Sequence, residues 1–387
     1  MRVLLHTPLK PPDHAVPSGD REMGRGLRRL LKRLGHRVVA PKESLVVSGV
    51  PDPATHLVLE RRARTQAARL IAKWRALPAR HPERYDLWFT YHCYYRKPDW
   101  LGPIVSRALN IPYVIAEASH SPRRAVGPWR LGHRAVERAL AAADLVLTVN
   151  PNDVRGVRSR ITLASRQVEL APFIDARSYL PSPPPSAEEE KAYEADTSPA
   201  DGGGIGHDGA PVLLSVGMMR VRDKLDSYRV LADALVRLKD RPWRAVLVGD
   251  GPARAEVEAL FAPLEGRVTL VGQQPREALP AFYAKADLYL WPAINEAFGM
   301  AFLEAQASGL PVVAGRTGGV PSIVADGATG LLTPPGDAGA FAAAVGRLLD
   351  DATLRARFSA AALDRVASRH DDSAAARSLA AALRRLR

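Results

Sequence analysis

The 387-residue sequence is poor in features that mark disulfide scaffolds, cysteine-rich metal sites and membrane spans. Cys93 is the only cysteine, which excludes an internal disulfide and any cluster of cysteine ligands. No run approaches the roughly 18 consecutive apolar residues that cross a bilayer. The chain starts in a strand-like pattern, without the apolar core and cleavage site of a signal peptide. We therefore expect a cytoplasmic protein with a buried, inert thiol.

Several familiar catalytic and nucleotide-binding motifs are also missing. The loop that holds Gly19 matches neither the G-x-G-x-x-G fingerprint nor the Walker loop, which weakens NAD-binding and ordinary ATPase interpretations. No spacing of His, Cys, Asp and Glu is typical of zinc, and no Gly-x-Ser-x-Gly elbow occurs. We predict no metal site, and we expect Gly19 to face a diphosphate across a cleft.

Positive charge is abundant but uneven, with a net charge of +13. Residues 1–180 hold 31 lysines and arginines against 15 acidic residues, residues 181–210 hold 1 against 7, and residues 211–387 hold 22 against 19. A basic half attracts polyanions or anionic lipid head groups. The helix predicted after Gly19 alternates arginines with leucines, so it has either a solvated basic face or a surface that docks on an anionic membrane.

Strand-like and helical runs alternate in both halves, which predicts an α/β protein with a doubly wound parallel sheet in each of two domains. The predicted strands are Val3–Thr7, His36–Ala40, Leu87–Tyr91, Tyr113–Ala116, Leu145–Val149, Val168–Ala171, Val212–Val216, Ala245–Gly249, Val268–Gly272, Leu288–Trp291 and Val312–Ala314. Residues 181–210 are acidic and rich in Pro and Gly, as in a linker or loop insertion. We predict domains at 1–180 and 211–365, and a C-terminal helix at 366–387 that packs back on the first domain.

Two glutamates lie at a predicted strand-to-helix junction. Glu296 follows the strand that stops at Pro292, and Glu304 lies eight residues later, about two turns into a helix predicted over residues 298–307. Open α/β sheets bind ligands at this edge, where free backbone N–H groups and the helix dipole favour phosphate. We assign the residues between the two glutamates to the same ligand, namely Phe298, Gly299 and Met300.

A basic loop follows the first strand of the second half. It contains Arg220, Arg222 and Lys224. An arginine guanidinium can donate two hydrogen bonds to phosphate oxygens and a lysine ammonium is a compact charge, so together they could neutralise a diphosphate without a metal. Plain solvated charge is the alternative. Glycines at this and other strand ends permit a phosphate or sugar to approach backbone amides closely; these are Gly217, Gly249, Gly318 and Gly319.

The first half carries two clusters at predicted strand ends. His92, Tyr94 and Tyr95 form an aromatic and polar set that suits stacking on sugar rings. Glu117 and His120 end the next strand, where a carboxylate and an imidazole could bind or deprotonate a hydroxyl. A structural role is the alternative for either histidine.

The C-terminal half resembles the nucleotide-sugar domain of retaining GT-B glycosyltransferases, specifically glycosyltransferase family 4. The resemblance covers about Leu213 to Asp337 and rests on five motifs. These are Gly249-Asp-Gly-Pro, Glu296-x7-Glu304, the run Glu304 to Ala314, Gly318-Gly-Val-Pro, and the run Asp326 to Asp337. It implies two Rossmann-like domains and metal-independent, cofactor-free transfer from a nucleoside-diphosphate sugar with retention of configuration.

The resemblance also implies separate roles. Glu296 would contact the donor sugar hydroxyls, Glu304 the ribose hydroxyls, and Arg220 with Lys224 the diphosphate. Met218 stands where the family usually has an arginine, and Ser322 where it often has a glutamate. A histidine common in the first domain of the family has no counterpart in register, which leaves Glu117 or His120 as its stand-in.

The first half resembles the family in architecture alone, and the resemblance makes it the acceptor-binding half. We expect a glycan or lipid-linked acceptor in cell-surface glycan or glycolipid synthesis, with peripheral attachment to an anionic membrane and no nucleic-acid partner. A sugar phosphorylase or nucleotide-sugar epimerase could use the same fold, since fold does not determine reaction. From another class, a polyanion-binding module without catalysis would account for the basic half.

Overall fold

The computed structural model describes residues 1–14, 18–40, 52–78, 81–161, 166–180 and 209–386. The chain forms two compact units, one of Met1–Phe173 with Asp372–Arg387 and one of Ile174–Asp371. The segment predicted as a linker at 181–210 lies outside the described residues, apart from its last two positions. The chain thus leaves the first unit at Phe173 and returns to it at Asp372.

The first unit contains a six-stranded parallel sheet in the order β2-β1-β3-β4-β5-β6. Its strands are β1 (Arg2–His6), β2 (Arg37–Val39), β3 (Leu87–Cys93), β4 (Tyr113–Ala118), β5 (Leu145–Thr148) and β6 (Gln167–Glu169). Its helices are α1 (Gly19–Arg33), α2 (Pro53–Ala76), α3 (Gly102–Leu109), α4 (Arg130–Ala142) and α5 (Val154–Arg158). The last long helix of the chain, Asp372–Leu383, belongs to this unit as well.

The second unit repeats the design, with a parallel sheet in the order β12-β11-β10-β7-β8-β9. Its strands are β7 (Val212–Val216), β8 (Arg244–Val248), β9 (Val268–Gly272), β10 (Leu288–Trp291), β11 (Val312–Gly315) and β12 (Gly330–Thr333). Its helices are α6 (Asp223–Val236), α7 (Arg254–Phe261), α8 (Leu279–Ala284), α9 (Met300–Ala307), α10 (Val320–Ile323), α11 (Ala338–Asp350) and α12 (Ala352–Arg365); Asp372–Leu383 is α13. The predicted doubly wound α/β sheets are confirmed in both units.

The basic helix α1 shows how sequence pattern becomes packing. Its leucines and Met23 are buried, and the hydroxyl of Ser18 caps its first turn by accepting from the N–H of Arg21 at 3.3 Å. Arg28 is paired with Asp13 at 3.0 Å, and the guanidinium of Arg29 donates to Asp372 at 2.5 and 3.0 Å. Much of the basic face is therefore neutralised within the unit, and part of it holds α13.

Three local features differ from the sequence prediction. Helix α2 was not predicted, although Asp52 caps it and proline stands in its first turn. Strand β4 runs on to Ala118, so Glu117 is a strand residue. Helix α9 begins at Met300 and not at residue 298 as the apolar spacing predicted, because Gly299 has a φ of +74°, which is not helical.

In the part of the chain that the structure describes, no helix combines the length and apolar character needed to cross a bilayer.

Candidate functional site

The candidate site of the second unit lies where the strand order reverses. Strand β10 returns to pair with β7, the first strand of the sheet, so the loops that follow these two strands are neighbours. Lys224, the second residue of α6, follows β7, and Glu296 follows β10. The Lys224 ammonium donates to Glu296 Oε2 at 2.5 Å. The topology thus brings the predicted cation and the predicted carboxylate into direct contact.

A tryptophan and a threonine hold Glu296 in place. The indole N–H of Trp291 donates to Glu296 Oε2 at 3.3 Å, and the Lys224 ammonium lies 5.1 Å from the Trp291 ring centroid. The backbone N–H of Glu296 donates to Thr317 Oγ1 at 3.3 Å, and the Thr317 hydroxyl donates to the carbonyl of Ala293. Trp291 and Thr317 were not singled out from the sequence, because neither belongs to a recognised motif.

Two pairs of loops approach so closely that only glycine fits. A Cβ on Gly318, whose φ is +49°, would lie 1.8 Å from the Glu296 carbonyl oxygen. A Cβ on Gly249, with φ at +147°, would lie 1.9 Å from the carbonyl oxygen of Gly217. The predicted glycines therefore pack loop backbones against one another. Gly319 continues this contact by donating its N–H to the carbonyl of Ala297 at 2.7 Å.

The basic loop after β7 separates its three cations. The Arg220 side chain is exposed, whereas the preceding Met219 is fully buried and anchors the loop. Arg222 has φ at +68° and forms the N-cap of α6, so its backbone turns the chain into the helix. Of the three, Lys224 contacts Glu296, whereas the side chains of Arg220 and Arg222 are both exposed.

Glu304 is the fifth residue of α9, so it lies about one turn into the helix rather than the predicted two. The phenol of Tyr283 donates to Glu304 Oε2 at 2.8 Å. Burial raises the pKa of Glu304, and this hydrogen bond partly opposes the rise. The pKa of Tyr179 is raised by burial and by the same carboxylate. Phe298 and Met300, the other predicted ligand contacts, are partly buried against the core of the unit.

The loop between β10 and Glu296 carries backbone strain. Ala293 and Asn295 have φ of +56° and +53°, a region that side-chain-bearing residues seldom adopt. The amide of Asn295 donates to Asp223 Oδ2 at 2.8 Å, and the N–H of Ile294 donates to the buried hydroxyl of Ser227 at 3.0 Å. Two α6 residues therefore hold the loop in a conformation that presents Glu296, as is common at ligand sites.

The first unit has a second cluster, around His92. His92 and Glu117 lie side by side on β3 and β4, because Tyr91 pairs with Ala116 and Cys93 with Ala118. Both have positive φ, 64° and 61°. His92 Nδ1 lies 3.1 Å from Asp20 Oδ1 and 3.9 Å from Glu117 Oε1. The imidazole beside Glu117 is therefore His92, not the predicted His120.

His120 lies in a separate group with two residues of α4. Its Nε2 is 3.3 Å from Glu137 Oε1, the Nε2 of His133 is 3.4 Å from the same oxygen, and Arg160 Nε donates to His120 Nε2 at 3.1 Å. Burial lowers the pKa of His120, and the adjacent Glu137 carboxylate, which favours the protonated ring, partly offsets this shift. The side chains of His120, His133 and Glu137 offer ligand atoms of the kinds that bind metals. The guanidinium of Arg160, which pairs with Glu137, already supplies positive charge there.

The predicted aromatic set forms a continuous row. The rings of His92 and Tyr94 are 4.9 Å apart, those of Tyr94 and Tyr95 are 5.5 Å apart, and Tyr95 contacts the Trp129 ring at 5.3 Å. Both tyrosines are half-buried, and the guanidinium of Arg124 lies over the Tyr95 ring, 4.8 Å from its centroid. Gly19, the predicted diphosphate contact, is the first residue of α1 and follows the Ser18 cap.

Known proteins resemble this chain both in sequence and in fold. The sequence profile described as "Glycosyl transferases group 1" matches residues 210–351. Over 299 residues the chain is 31% identical to the alpha-D-kanosaminyltransferase of Streptomyces kanamyceticus, a match that covers 73% of this chain and 73% of that protein. The chain belongs to the glycosyl transferases group 1 family. The sequence-based prediction of a glycosyltransferase is confirmed.

This group 1 glycosyltransferase also has more local and more distant similarities. It is 40% identical over 147 residues to the D-inositol 3-phosphate glycosyltransferase of Corynebacterium diphtheriae, which covers 36% of this chain and 34% of that protein. HepE of Anabaena, solved in complex with UDP and glucose, superposes with a TM-score of 0.68 and 19% identity over 99% of both chains. The predicted GT-B fold is thereby confirmed.

Proposed function

We propose that this glycosyltransferase moves a sugar from a nucleoside-diphosphate sugar to an acceptor hydroxyl, with retention of anomeric configuration. The observation that carries the proposal is the Lys224–Glu296 pair, at 2.5 Å, at the point where the second sheet reverses its strand order. Such a position is where open α/β sheets bind nucleotides. The UDP and glucose bound to HepE, which shares the fold, support a donor of this class.

Each part of the nucleotide-sugar donor, namely the sugar, the diphosphate and the ribose, is then assigned to a residue suited to bind it. Glu296 accepts hydrogen bonds from the sugar hydroxyls, and Arg220 with Lys224 neutralises the diphosphate, for which Arg220 is the exposed cation and Lys224 the half-buried one. Glu304 accepts from the ribose hydroxyls, since its carboxylate is only half-buried and the hydrogen bond from Tyr283 holds it in position.

The reaction breaks the bond between the anomeric carbon and the diphosphate oxygen and forms a bond from that carbon to the acceptor oxygen. Negative charge gathers on the leaving diphosphate as the sugar becomes oxocarbenium-like, and the Arg220 and Lys224 cations stabilise it. A phosphate oxygen of the leaving group accepts the acceptor proton. We propose no role for a metal or a bound cofactor, since the two cations supply the positive charge that a metal ion would otherwise bring to the diphosphate.

We assign acceptor binding to the first unit. Its row of His92, Tyr94 and Tyr95 offers faces for a sugar ring, and the buried Glu117 offers an acceptor for a hydroxyl or amine hydrogen. His120, with a fully buried side chain among Glu137, His133 and Arg160, positions that region rather than meeting the acceptor. The acceptor in this proposal is a glycan or a lipid-linked sugar used in cell-surface glycan synthesis.

Peripheral binding to an anionic membrane is a separate proposal. The exposed arginines and lysines of the first unit favour it, but ion pairs such as Arg28–Asp13 reduce the free charge of α1. Co-sedimentation with anionic vesicles, lost in neutral vesicles and at high salt, would support it. Equal recovery with both vesicle types would exclude it.

A thermal-shift panel of nucleotide sugars tests the central proposal, because a ligand of the folded state raises the melting temperature with its concentration. We expect one nucleotide sugar to stabilise the protein and Glu296→Gln to lose part of that shift. Glu265→Gln, at an exposed residue of the same unit, is the matched control. Labelled product formed from the donor and acceptor, but not from the donor and free phosphate, separates transfer from phosphorolysis.

A further inference from the structure

The first unit is basic overall, yet its strand ends carry a cluster of acidic groups. Asp20 lies in the first turn of α1 after β1, His92 ends β3, Glu117 ends β4, and Asp153 follows β5. The sheet order places β1, β3, β4 and β5 next to one another, so the four side chains meet at one edge of the sheet. We call them the acidic pocket.

Direct contacts within the acidic pocket converge on the imidazole. His92 Nδ1 lies 3.1 Å from Asp20 Oδ1 and 3.9 Å from Glu117 Oε1. Asp153 interacts electrostatically with both His92 and Glu117, and the hydroxyl of Ser119 donates to it. Three carboxylates therefore lie around one histidine, so the acidic side chains of the cluster outnumber the basic one.

One oxygen in the pocket points to a missing donor. The Glu117 side chain is 8% exposed, and the Tyr91 phenol interacts with its carboxylate, but Glu117 Oε2 itself is buried without a hydrogen-bond partner among the described residues. A buried carboxylate oxygen without a donor is costly, so such an atom indicates a group that arrives from outside the fold. Glu117 also has a strained φ of +61°, which side-chain-bearing residues seldom adopt.

The pocket is also short of positive charge. Burial raises the pKa of both Glu117 and Asp153, and His92 is the cationic side chain that acts against this rise in both cases. Lys10 acts on Asp20, and its ammonium donates to Ser18 Oγ at 3.0 Å. A bound cation would relieve the repulsion between the carboxylates.

We propose that the acidic pocket recognises a protonated amine on the acceptor, so that the enzyme glycosylates acceptors that carry an amino sugar in preference to acceptors with neutral sugars only. An ammonium carries a full charge and three N–H donors, which can satisfy Glu117 Oε2 together with Asp20 or Asp153. A hydroxyl at the same place donates one hydrogen and carries no charge. The Tyr94 ring, 4.9 Å from His92, provides a face for the rest of the acceptor ring.

This inference rests on the proposed function for the role of the first unit, but its test does not need a donor. Streptamine and scyllo-inositol share a cyclitol ring and differ in two amines that replace hydroxyls. Binding of each to the full-length enzyme is measured by titration calorimetry at pH 7. We expect streptamine to bind at least about tenfold more tightly, the effect of one charge-assisted hydrogen bond.

Variants separate a charge effect from a general loss of binding. Glu117→Gln and Asp153→Asn should each reduce the preference for streptamine by about tenfold, with an unchanged melting temperature for at least one of them. Glu169→Gln removes an acidic group from an exposed position of β6 and should leave the preference unchanged. A second pair of probes, methyl glucosaminide and methyl glucoside, repeats the comparison on a pyranose ring.

Equal binding of amine and hydroxyl probes would overturn the inference, and so would an equal loss of both in the two variants. Neither result would affect the donor proposal, which stands if a nucleotide sugar still stabilises the protein. Conversely, amine-selective binding without any response to nucleotide sugars would support the acidic pocket and contradict the proposed transfer reaction.

Discussion

Replacement of Lys224 by alanine should separate catalysis from folding. The ammonium of Lys224 lies 2.5 Å from Glu296 Oε2 and 5.1 Å from the Trp291 ring centroid. In the proposed reaction it stabilises charge that develops on the diphosphate. Loss of one such group lowers kcat by about 10²–10³-fold, which corresponds to about 2.7–4 kcal/mol of transition-state stabilisation.

The expected cost in stability is smaller. The side chains of Lys224 and Glu296 are 27% and 16% exposed, so the pair lies between a surface ion pair and a buried one. Exposed pairs contribute about 0–1 kcal/mol, and removal of one partner from a fully buried pair costs about 3–5 kcal/mol. We expect about 1–2 kcal/mol here, because the Trp291 indole still donates to the glutamate in the variant. The melting temperature should fall by a few degrees only.

Initial rates of nucleoside diphosphate release, measured with the preferred donor and a saturating acceptor, give kcat and KM. Lys239→Ala removes an exposed lysine of the same unit and should change neither rate nor stability. Lys224→Arg should retain part of the activity, because charge is kept while the geometry changes. A kcat of Lys224→Ala within threefold of the wild type would refute the assignment, and a collapse of folding would refute the stability estimate.

Three further outcomes follow from the structure. Gly318→Ala should abolish most activity, because its Cβ would lie 1.8 Å from the Glu296 carbonyl oxygen, whereas Gly327→Ala, at φ +73° in open space, should cost only about 1 kcal/mol in a denaturant titration. Burial raises the pKa of Glu117 above 4.5, and the carboxylates of Glu117 and Asp20 raise that of His92 above 6.5 although its own burial opposes protonation. Both groups bind more protons in the folded state, so their contribution to stability should fall as the pH rises above about 5, and between about pH 6 and pH 8 the wild type should lose more stability than His92→Gln; a steeper loss in this variant over that range would contradict the sign. Burial, together with the charge of Asp99, raises the pKa of the Cys93 thiol to about 12, so iodoacetamide at pH 8 should label it only after unfolding, as mass spectrometry would detect.

The sheets of both units could be predicted from the sequence because buried parallel strands are nearly continuous apolar runs. The runs at β7 and β10 even locate the edge at which Lys224 and Glu296 lie. Helix α2 was missed because residues 60–69 at its centre include no large apolar side chain, so the helical period is weak. The start of α9 depended on the backbone conformation of Gly299, which a hydrophobic pattern does not encode.

The candidate site of the second unit was predictable as a set of residues but not as a set of contacts. Motif spacing identified Glu296 and Glu304, whereas the partners Trp291 and Tyr283 come from separate elements. In the first unit, the pairing of Glu117 with His92 instead of His120 depends on strand register and on two unusual φ angles. Long-range register of this kind is absent from local sequence patterns.

The most direct measurement of the central claim is the anomeric configuration of the product, followed by proton NMR as a nucleotide sugar is consumed. The account predicts release of nucleoside diphosphate and a new glycosidic signal whose configuration equals that of the donor, with Glu296→Gln strongly impaired. Turnover with inversion, unimpaired turnover by that variant, or no turnover with any nucleotide sugar that raises the melting temperature would contradict it.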